Sequence, residues 1–335
     1  MPDLPVTAPM VARSPLTAHS SVDVALLQDP SDAMGAGADL FCSPPFFRLH
    51  AASFARAWYA VAMDATNAQV ISSGWFAEVE PGHARAGARG PYGALATATP
   101  GLPLSVASRV LATTESELRA REISRVTVTL PPAAHNVEAH AHWMNVYVRA
   151  GYRIVSTDLN YHVLVNETDL TTRMNSGNRA VVRTGSRRGL FARPLRPAER
   201  AEAWSVNAQN RVRRGRRMTM SLDALVAMDD ALPDTLRWFG VFDDTRMLAA
   251  SVCLSIAPGV LYVFYLGEAD GAERRSPVTL LVSHIYDWCR DRGVELLDLG
   301  VATEAGTPNE GLMAYKRNLG FDVSPRYTLH AELTR

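Results

Sequence analysis

The chain has 335 residues and no formal net charge, with 47% hydrophobic and 20% charged residues. This length suits two average domains, and the composition is that of globular proteins with buried cores. The three cysteines, Cys42, Cys253 and Cys289, lie far apart, which argues against a disulfide framework or a thiolate zinc site. The absence of a long apolar run and of a signal-peptide pattern predicts a cytoplasmic protein without a membrane span.

The basic residues are unevenly distributed. Residues 170–220 contain thirteen arginines against Glu199 and Glu202, a local balance of +11. Such a segment indicates either a site for a polyanionic ligand or a solvated basic face. Lys316 is the only lysine among the 34 basic residues. Because arginine has a broad planar head and no accessible neutral form, this lysine marks either a site that needs a compact ammonium or an incidental position on a helix surface.

The first half of the chain begins with a segment of low complexity. Residues 1–40 contain no Phe, Trp or Tyr and are rich in Pro, Ala, Ser and Gly, which predicts a flexible leader. Periodicity and turn residues then predict an α/β order. The expected elements are a helix over Phe54–Ala62, strands over Val70–Val79 and Ala88–Ala96, a helix over Ser105–Glu122, a strand near Val126–Leu130, a helix over Glu138–Ala150 and extended chain to Val165.

The second half gives a fuller series of α/β elements. A proline at the first turn and a glycine after the last turn delimit several of its helices. The expected elements are a strand at Phe191–Leu195, helices at Pro197–Arg213 and Leu222–Met228, strands at Trp238–Phe242, Leu248–Ile256 and Leu261–Gly267, a helix at Pro277–Arg290, a strand at Val294–Leu299, a helix at Glu310–Leu319 and a strand at Tyr327–Leu333.

The two halves correspond at a fixed offset of 169 residues. Each contains a strand, a helix, a glycine that ends the helix, an aromatic residue and a further strand. The matched pairs are Met144 and Met313, Gly151 and Gly320, Tyr152 and Phe321, and Ile154 and Val323. Duplication is the simplest explanation, and it predicts domains at 41–168 and 169–335.

Several motifs of the second half together resemble a known family. They are Asn178–Leu190, Asn210-Arg211, Phe264–Gly267, Ser276-Pro277, Leu297–Gly300, Tyr315-Lys316 and Leu319–Phe321, with a thinner version, Gly90–Gly93 and Pro131-Pro132, in the first half. This pattern is similar to the Fem-type peptidyltransferases of the GNAT acyltransferase superfamily. The resemblance implies an α/β fold of two tandem GNAT-type domains with mixed sheets flanked by helices.

The resemblance also implies a mechanism and a set of binding residues. An amine attacks an acyl carbonyl in a cleft between two splayed parallel strands, here Leu261–Gly267 and Val294–Gly300, without a covalent enzyme intermediate. The residues expected to bind the donor are Tyr265, Gly267, Arg274, Arg275, Ser276 and Gly300. Those expected to bind the acceptor or phosphate are Arg183, Arg187, Asn210, Arg211 and Tyr92.

The expected catalytic residues are Lys316, Tyr315 and Asp298. Tyr315-Lys316 matches the aromatic-lysine pair of Fem-type enzymes, which implies that the ammonium offsets charge near the reacting ester. Asp298 interrupts an apolar strand, so it is either a general base with a raised pKa or a structural partner of another residue. The cluster His135, His140 and His142 lacks the spacing of a metal site, and no metal is expected.

The donor is the least determined part of the prediction. Coenzyme A-dependent acetyltransferases carry glycines in the loop before the central helix, where this chain has Pro277 and Thr279, and proline lacks one of the required N–H donors. We therefore expect aminoacyl transfer from aminoacyl-tRNA to an amine, with no tightly bound cofactor. An acyl-CoA-dependent N-acyltransferase acting on a small-molecule or saccharide amine, and a non-catalytic binding module, are the alternatives.

Overall fold

The computed structural model describes residues 16–18, 20–35, 39–98, 101–244 and 246–333. The elements of the first half are β1 Val22–Leu27, α1 Pro44–Ala51, β2 Ala57–Asp64, β3 Val70–Glu80, β4 His83–Ala86, β5 Ala96–Thr97, α2 Leu104–Arg119, β6 Arg125–Thr129, α3 Val137–Arg149 and β7 Arg153–Leu164. Those of the second half are α4 Ser176–Gly185, β8 Leu190–Pro194, α5 Arg200–Arg213, α6 Leu222–Ala231, β9 Leu236–Asp243, β10 Arg246–Ala257, β11 Val260–Glu268, α7 Pro277–Asp291, β12 Leu296–Val301, β13 Thr303–Glu304, β14 Thr307–Pro308, α8 Glu310–Asn318 and β15 Asp322–Glu332.

Both halves contribute to one continuous mixed sheet within the described residues. Its strand order is β1-β2-β3-β4-β6-β15-β7-β12-β11-β10-β9-β8, with β5 beside β3. The final strand of each half lies next to the other half, because β15 pairs with β6 and β7 pairs with β12. β7 and β15 also pair with each other along most of their length. The halves therefore exchange their last strands at the centre of the sheet. As a result, the sheet is continuous across the domain boundary predicted at residue 168.

The repeated unit is visible in the order of elements. The block β6-α3-β7 corresponds to β12-α8-β15, and each helix is followed by a glycine with positive φ, Gly151 at 94° and Gly320 at 89°. A residue with a Cβ atom is strained in this conformation, so glycine is the natural end of both helices. The predicted fold class, an α/β protein with two tandem units of mixed sheet flanked by helices, is confirmed.

Aromatic side chains of the first half join the core of the second. Phe41, Phe47 and Trp75 are at most 2% exposed and belong to the same buried cluster as Leu261 and Leu297. Burying each large apolar side chain contributes roughly 1.5–3 kcal/mol. Together with the exchanged strands, this shared core holds the first half in contact with the part of the sheet that contains β11 and β12.

Several sequence-based predictions of local structure were wrong in the first half. The segment Phe54–Ala62, predicted as a helix, contains the start of β2, whose residues are buried between β1 and β3. Most of Ala88–Ala96 forms turns and an isolated bridge, and only its last residue belongs to a strand, the short β5. Tertiary pairing outweighs weak local propensity in both places.

The predicted leader also contains structure. Val22–Leu27, within residues 1–40, forms the edge strand β1 and pairs with β2 over six residues, because Val22, Val24 and Leu26 pack against the apolar core of the first half. Residues 1–15 of that leader lie outside the described residues. Helix α4, in the arginine-rich segment, was not predicted.

Candidate active site

The parallel strands β11 and β12 separate at their carboxyl ends. Their register is Val260 with Leu296, Leu261 with Leu297 and Tyr262 with Asp298, and the pairing stops there. A register shift between β10 and β11 immediately follows, at Val252/Cys253 opposite Val263 and Tyr265. Such a bulge bends a strand away from its neighbour. The result is the predicted cleft, which opens between the carboxyl ends of the two strands where they no longer pair with each other.

Lys316 of α8 holds the carboxyl end of β12. Its Nζ donates hydrogen bonds to the carbonyl oxygens of Leu299 at 2.8 Å, Gly300 at 2.8 Å and Val301 at 2.9 Å. The residue is 5% exposed, and its Nζ lies 5.6 Å from the centre of the Tyr161 ring. Burial lowers the pKa of Lys316 to about 7, although the charge of Asp298 opposes the change. All three ammonium protons are thus used when the lysine is charged.

This geometry decides between the two sequence-based interpretations of Lys316. The side chain is not a solvated group on the outside of a helix, because it is 5% exposed. The position instead suits a compact ammonium, because the carbonyl oxygens of three consecutive residues hold it in place. A buried lysine in this position fixes the direction of β12 beyond Asp298 and keeps Gly300 at its positive φ of 71°. Its influence on the cleft therefore acts through the backbone that it holds.

Asp298 lies at the base of the cleft and is 1% exposed. Its Oδ2 atom lies 2.5 Å from Nε2 of His135, and Oδ1 accepts hydrogen bonds from Asn160 Nδ2 at 3.0 Å and from the Gly300 amide at 2.5 Å. Burial opposes ionisation, but these hydrogen bonds outweigh it and hold the pKa of Asp298 below its usual range. Of the two alternatives for Asp298, the one with a raised pKa was wrong, and the hydrogen bonds agree with the other, a carboxylate paired with another residue; the sequence did not reveal that this residue is His135.

The wall of the cleft opposite β12 is formed by the end of β11. The Glu268 carbonyl oxygen accepts hydrogen bonds from Arg213 Nη2 at 2.7 Å and from Asn210 Nδ2 at 3.3 Å. The Glu268 carboxylate is 3.5 Å from Arg214, yet burial raises its pKa. Burial also raises the pKa of Tyr315 to about 12, and Glu268 adds to the rise. Ionisable groups with altered pKa values therefore surround both strand ends.

A cavity of about 460 Å³ lies at the end of β12. Its lining comes from the end of β12, the short β13-β14 hairpin, the first turn of α8 and the loop between α5 and α6. Arg216 reaches across this opening to Glu304, with 3.3 Å between the charged atoms. The end of β12 thus borders a concave and mostly polar surface. None of the helices in the described residues is long and apolar enough to cross a lipid bilayer.

Residues 174–317 match a family model described as an acetyltransferase (GNAT) domain. Over this stretch the second half of the chain is similar to a GNAT domain. This match includes the two splayed strands, the helix between them and Lys316. The protein is accordingly an acyltransferase. No protein with a curated description matches the chain in sequence.

Solved structures with this fold extend over both halves of the chain. The crystal structure of FemX is 11% identical, covers 88% of this chain and 92% of that chain, and has a TM-score of 0.67. The C-terminal domain of a putative lysylphosphatidylglycerol synthetase from Agrobacterium fabrum is 11% identical, covers 89% of each chain and has a TM-score of 0.59. A tandem GNAT protein from the clavulanic acid pathway is 11% identical, covers 94% of this chain and 99% of that chain, and has a TM-score of 0.51. At this identity the similarity concerns the fold.

The structure brings most of the predicted site residues to the cleft of the GNAT domain. Asp298, Gly300, Tyr315 and Lys316 surround the end of β12. Asn210, Arg211, Tyr265 and Gly267 lie on or beside the end of β11: the Arg211 guanidinium stacks 5.6 Å from the centre of the Tyr265 ring, and a Cβ on Gly267 would lie 3.0 Å from Asn210. The Tyr265 hydroxyl is already used, because it accepts hydrogen bonds from the amides of Thr219 and Met220.

The remaining predicted residues lie at the borders of the site. Arg274, Arg275 and Ser276 precede α7, while Arg183 and Arg187 belong to α4 and the turn after it, which pack against α7 and not in the cleft. Tyr92 lies on the side of the first half and is 3% exposed, with its ring centre 5.7 Å from that of His135.

Two residues of the site were missed as site residues. His135 was considered in the sequence as a metal ligand and not as a partner of Asp298, from which it is 163 residues away. Glu268 follows Gly267, the last residue of a predicted strand, and was not considered as a site residue. A carboxylate placed immediately after a predicted cleft strand was the signal that could have identified Glu268.

Proposed function

We propose that the GNAT domain transfers an aminoacyl group from aminoacyl-tRNA to an amine acceptor. The observation that carries this proposal is the start of α7, which combines few free backbone N–H groups with unpaired arginines. Pro277 occupies the first helical position and has no N–H, and the Thr279 amide donates to the Ser276 carbonyl at 3.1 Å. A pyrophosphate binds best where several free N–H groups converge, so this helix start favours a donor other than coenzyme A.

Exposed arginines next to this helix start supply positive charge. Arg275 forms an ion pair with Asp243 and donates to the carbonyl oxygen of Arg188 at 3.2 Å, which brings the turn after α4 against the start of α7. Arg179, Arg183, Arg187 and Arg274 are exposed and have no ionic or hydrogen-bonded side-chain partner within the described residues. Because these unpaired arginines come from α4, the turn after it and the segment before α7, they suit the many phosphates of an RNA better than one compact phosphate group.

The reaction follows from the geometry of the cleft. The acceptor amine attacks the carbonyl carbon of the aminoacyl ester, the new C–N bond forms, and the C–O bond to the ribose breaks as the oxygen leaves with its electron pair and a proton. Backbone N–H groups at the splayed strand ends, where β11 and β12 no longer pair with each other, are suited to stabilise the carbonyl oxygen as it becomes negative.

An acyl-CoA donor is the second candidate. The specific observation in its favour is that the family model matching residues 174–317 is that of an acetyltransferase domain. The start of α7 also retains a helix N-terminus, which attracts anions through its dipole. Under this candidate the thioester C–S bond breaks in place of the ester C–O bond, while the acceptor remains an amine.

Binding and turnover measurements test the donor. We expect aminoacyl-tRNA to bind with a steep salt dependence and coenzyme A to bind weakly in calorimetry. The double substitution Arg187→Ala and Arg274→Ala should reduce the magnitude of the slope of log K against log salt by about 1 for each lost phosphate contact.

The matched control is Arg149→Ala at the end of α3, an exposed arginine of the first half, which should leave binding unchanged. Mass spectrometry with a pool of amines identifies which donor the wild-type protein consumes. Micromolar affinity for coenzyme A, with consumption of acyl-CoA and no binding of tRNA, would replace the first candidate by the second.

A further inference from the structure

A histidine of the first half and a carboxylate of the second form a buried pair at the base of the cleft. Nε2 of His135 lies 2.5 Å from Oδ2 of Asp298, and the two side chains are 8% and 1% exposed. The other carboxylate oxygen is fixed by Asn160 and by the Gly300 amide. Because each oxygen of Asp298 has its own donor, the carboxylate has one orientation and holds the imidazole in one orientation.

The position of this pair relative to the strands is specific. Asp298 forms the last in-register pair of β11 and β12, opposite Tyr262, and the strands separate from the next residue onward. A Cβ on Gly300 would lie 3.3 Å from the Tyr262 ring, so the ring and this glycine form the floor of the opening. Neighbouring residues of parallel strands project to the same side of the sheet. His135 therefore approaches the opening from the side on which the first half packs.

The hydrogen bond to Asp298 determines which nitrogen of His135 is free. An ionised carboxylate only accepts hydrogen bonds, and the pKa of Asp298 is held below its usual range. In neutral His135 the proton is thus on Nε2, and the lone pair is on Nδ1. Within the described residues Nδ1 has no hydrogen-bond partner. The groups that face His135 are Asp298, Asp39, Tyr92 and His162.

We propose that His135 is the general base for the acceptor amine and that Asp298 is the residue that orients it. Nδ1 takes one proton from the acceptor ammonium, and the imidazolium formed is stabilised by the Asp298 carboxylate. The neutral amine then attacks the acyl carbon. Its second proton passes to the departing oxygen or sulfur, and His135 releases the first proton to solvent. The inference rests on acyl transfer to an amine and is the same for a tRNA and a coenzyme A donor.

The first test uses nuclear magnetic resonance of the full chain, labelled with ¹⁵N in the histidine rings and measured without substrate. The assigned His135 ring should be the Nε2–H tautomer at neutral pH in the wild type. Asp298→Asn should change the tautomer, because an amide can donate to Nε2 where the carboxylate accepted from it. An Nδ1–H tautomer in the wild type would overturn the proposal.

The second test uses the donor and amine that the wild-type protein consumes. His135→Ala should lower kcat about 10²-fold to 10⁴-fold, remove the acidic limb of the pH profile of kcat/KM, and regain activity with added imidazole. A purely structural histidine would give neither the altered pH profile nor the rescue. The matched control His330→Ala removes a histidine of β15 that faces Glu332 and should leave kcat unchanged.

The outcomes separate this inference from the choice of donor. If the tautomer and the imidazole rescue are found with acyl-CoA as donor, the proposal on tRNA fails and the general base stands. If tRNA is consumed but folded His135→Ala retains the wild-type pH profile, the general base is rejected and the donor assignment stands. Circular dichroism and the melting temperature of each variant show whether it is folded.

Discussion

The two halves contain the same pair of parallel strands, but their clefts differ. In the second half β11 and β12 separate after Tyr262 and Asp298, and their ends stay apart. In the first half β4 and β6 pair in parallel from His83 with Arg125 to Arg85 with Thr127. Residues 87–95, which we call the closing segment, then fold back between them. Its Gly93 amide donates to the Thr129 carbonyl at 2.9 Å, and the Thr129 amide donates to Gly93 at 3.2 Å.

Close approach of the backbone makes this closure possible. A Cβ on Gly93 would lie 2.3 Å from the Cα of Gly87, so the closing segment can cross its own start only where both residues are glycine. At the 169-residue offset, the position of Lys316 corresponds to Tyr147, whose hydroxyl accepts a hydrogen bond from the Leu95 amide at 3.2 Å. In the second half Lys316 holds the end of β12 away from β11, and in the first half Tyr147 holds the closing segment in place.

The comparison shows how a repeated fold can divide its roles. The first half fills its own cleft with backbone, which leaves no room there for an acyl donor. Its loops instead border the cleft of the second half, because Tyr92 of the closing segment and His135 both lie beside Asp298. The Pro91 carbonyl also accepts a hydrogen bond from Arg326 of β15 at 3.0 Å. The following predictions test this division, from the largest expected effect to the smallest.

Removing the lysine that holds β12 should have the largest effect. Lys316→Ala leaves three carbonyl oxygens, two of them buried, without their donor, so the strand end should shift and turnover should fall by about 10²-fold to 10³-fold. Lys316→Arg should recover little, because a planar guanidinium cannot place three donors around one point. Arg317→Ala, at the next and exposed position of α8, is the control for steady-state kinetics. Wild-type turnover in either folded Lys316 variant would remove this residue from the working of the cleft.

Opening the first cleft should cost stability and leave the chemistry of the second half in place. Gly93→Val introduces side-chain atoms against the backbone of Gly87 and should lower the free energy of unfolding by about 3 kcal/mol. Gly177→Ala in α4, where a Cβ meets an ordinary contact of 3.7 Å, should be neutral or slightly stabilising. Urea unfolding measures both variants. A stability of Gly93→Val equal to that of the wild type would show that the closing segment is not held as described.

The buried lysine should make stability depend on pH in the alkaline range. The pKa of Lys316 is about 7 in the folded protein against its ordinary value of 10.5, so between these values the unfolded chain binds more protons and stability rises with pH. The slope is at most about 1.4 kcal/mol per pH unit, which gives about 2 kcal/mol between roughly pH 7.5 and 9. Lys316→Met should lack this rise. Parallel pH dependences of wild type and variant in urea unfolding would contradict the low pKa.

The smallest effect is expected from Tyr147, the counterpart of Lys316. Tyr147→Phe removes the acceptor of the Leu95 amide and should destabilise the protein by about 1 kcal/mol. Hydrogen exchange at the Leu95 amide should become faster, while turnover stays at the wild-type value because the open cleft lies in the other half. A loss of turnover comparable to that of Lys316→Ala would mean that the two clefts are not independent.

Local signals in the second half are strong enough to be read from the sequence. Pro277 and Gly293 delimit α7, and the apolar runs of β11 and β12 identify the two cleft strands. In the first half the signals are weaker. The alanine-rich β2 was predicted as a helix, and the glycines of the closing segment were attributed to a turn and a strand, because nothing local indicates that this backbone lies between two other strands.

The site shows the same limit in individual residues. The resemblance at Tyr315-Lys316 and the lone Asp298 in an apolar strand directed attention to the right strand end. The direction of the Lys316 ammonium, the lowered pKa of Asp298 and the pairing with His135 were beyond reach, since each depends on a group at least 15 residues away along the chain. Ion pairing and hydrogen bonding depend on distance in space, which sequence spacing does not report.

By itself the sequence determined the α/β character of both halves, their 169-residue repeat and the identity of the cleft strands, because these follow from side-chain periodicity and from residues that begin or end helices. Tertiary structure alone decided which cleft is open, which strands the halves exchange and which histidine meets Asp298. The physical reason is that backbone hydrogen bonds between strands carry no sequence code of their own. Their partners are chosen when the whole sheet buries its apolar faces at once.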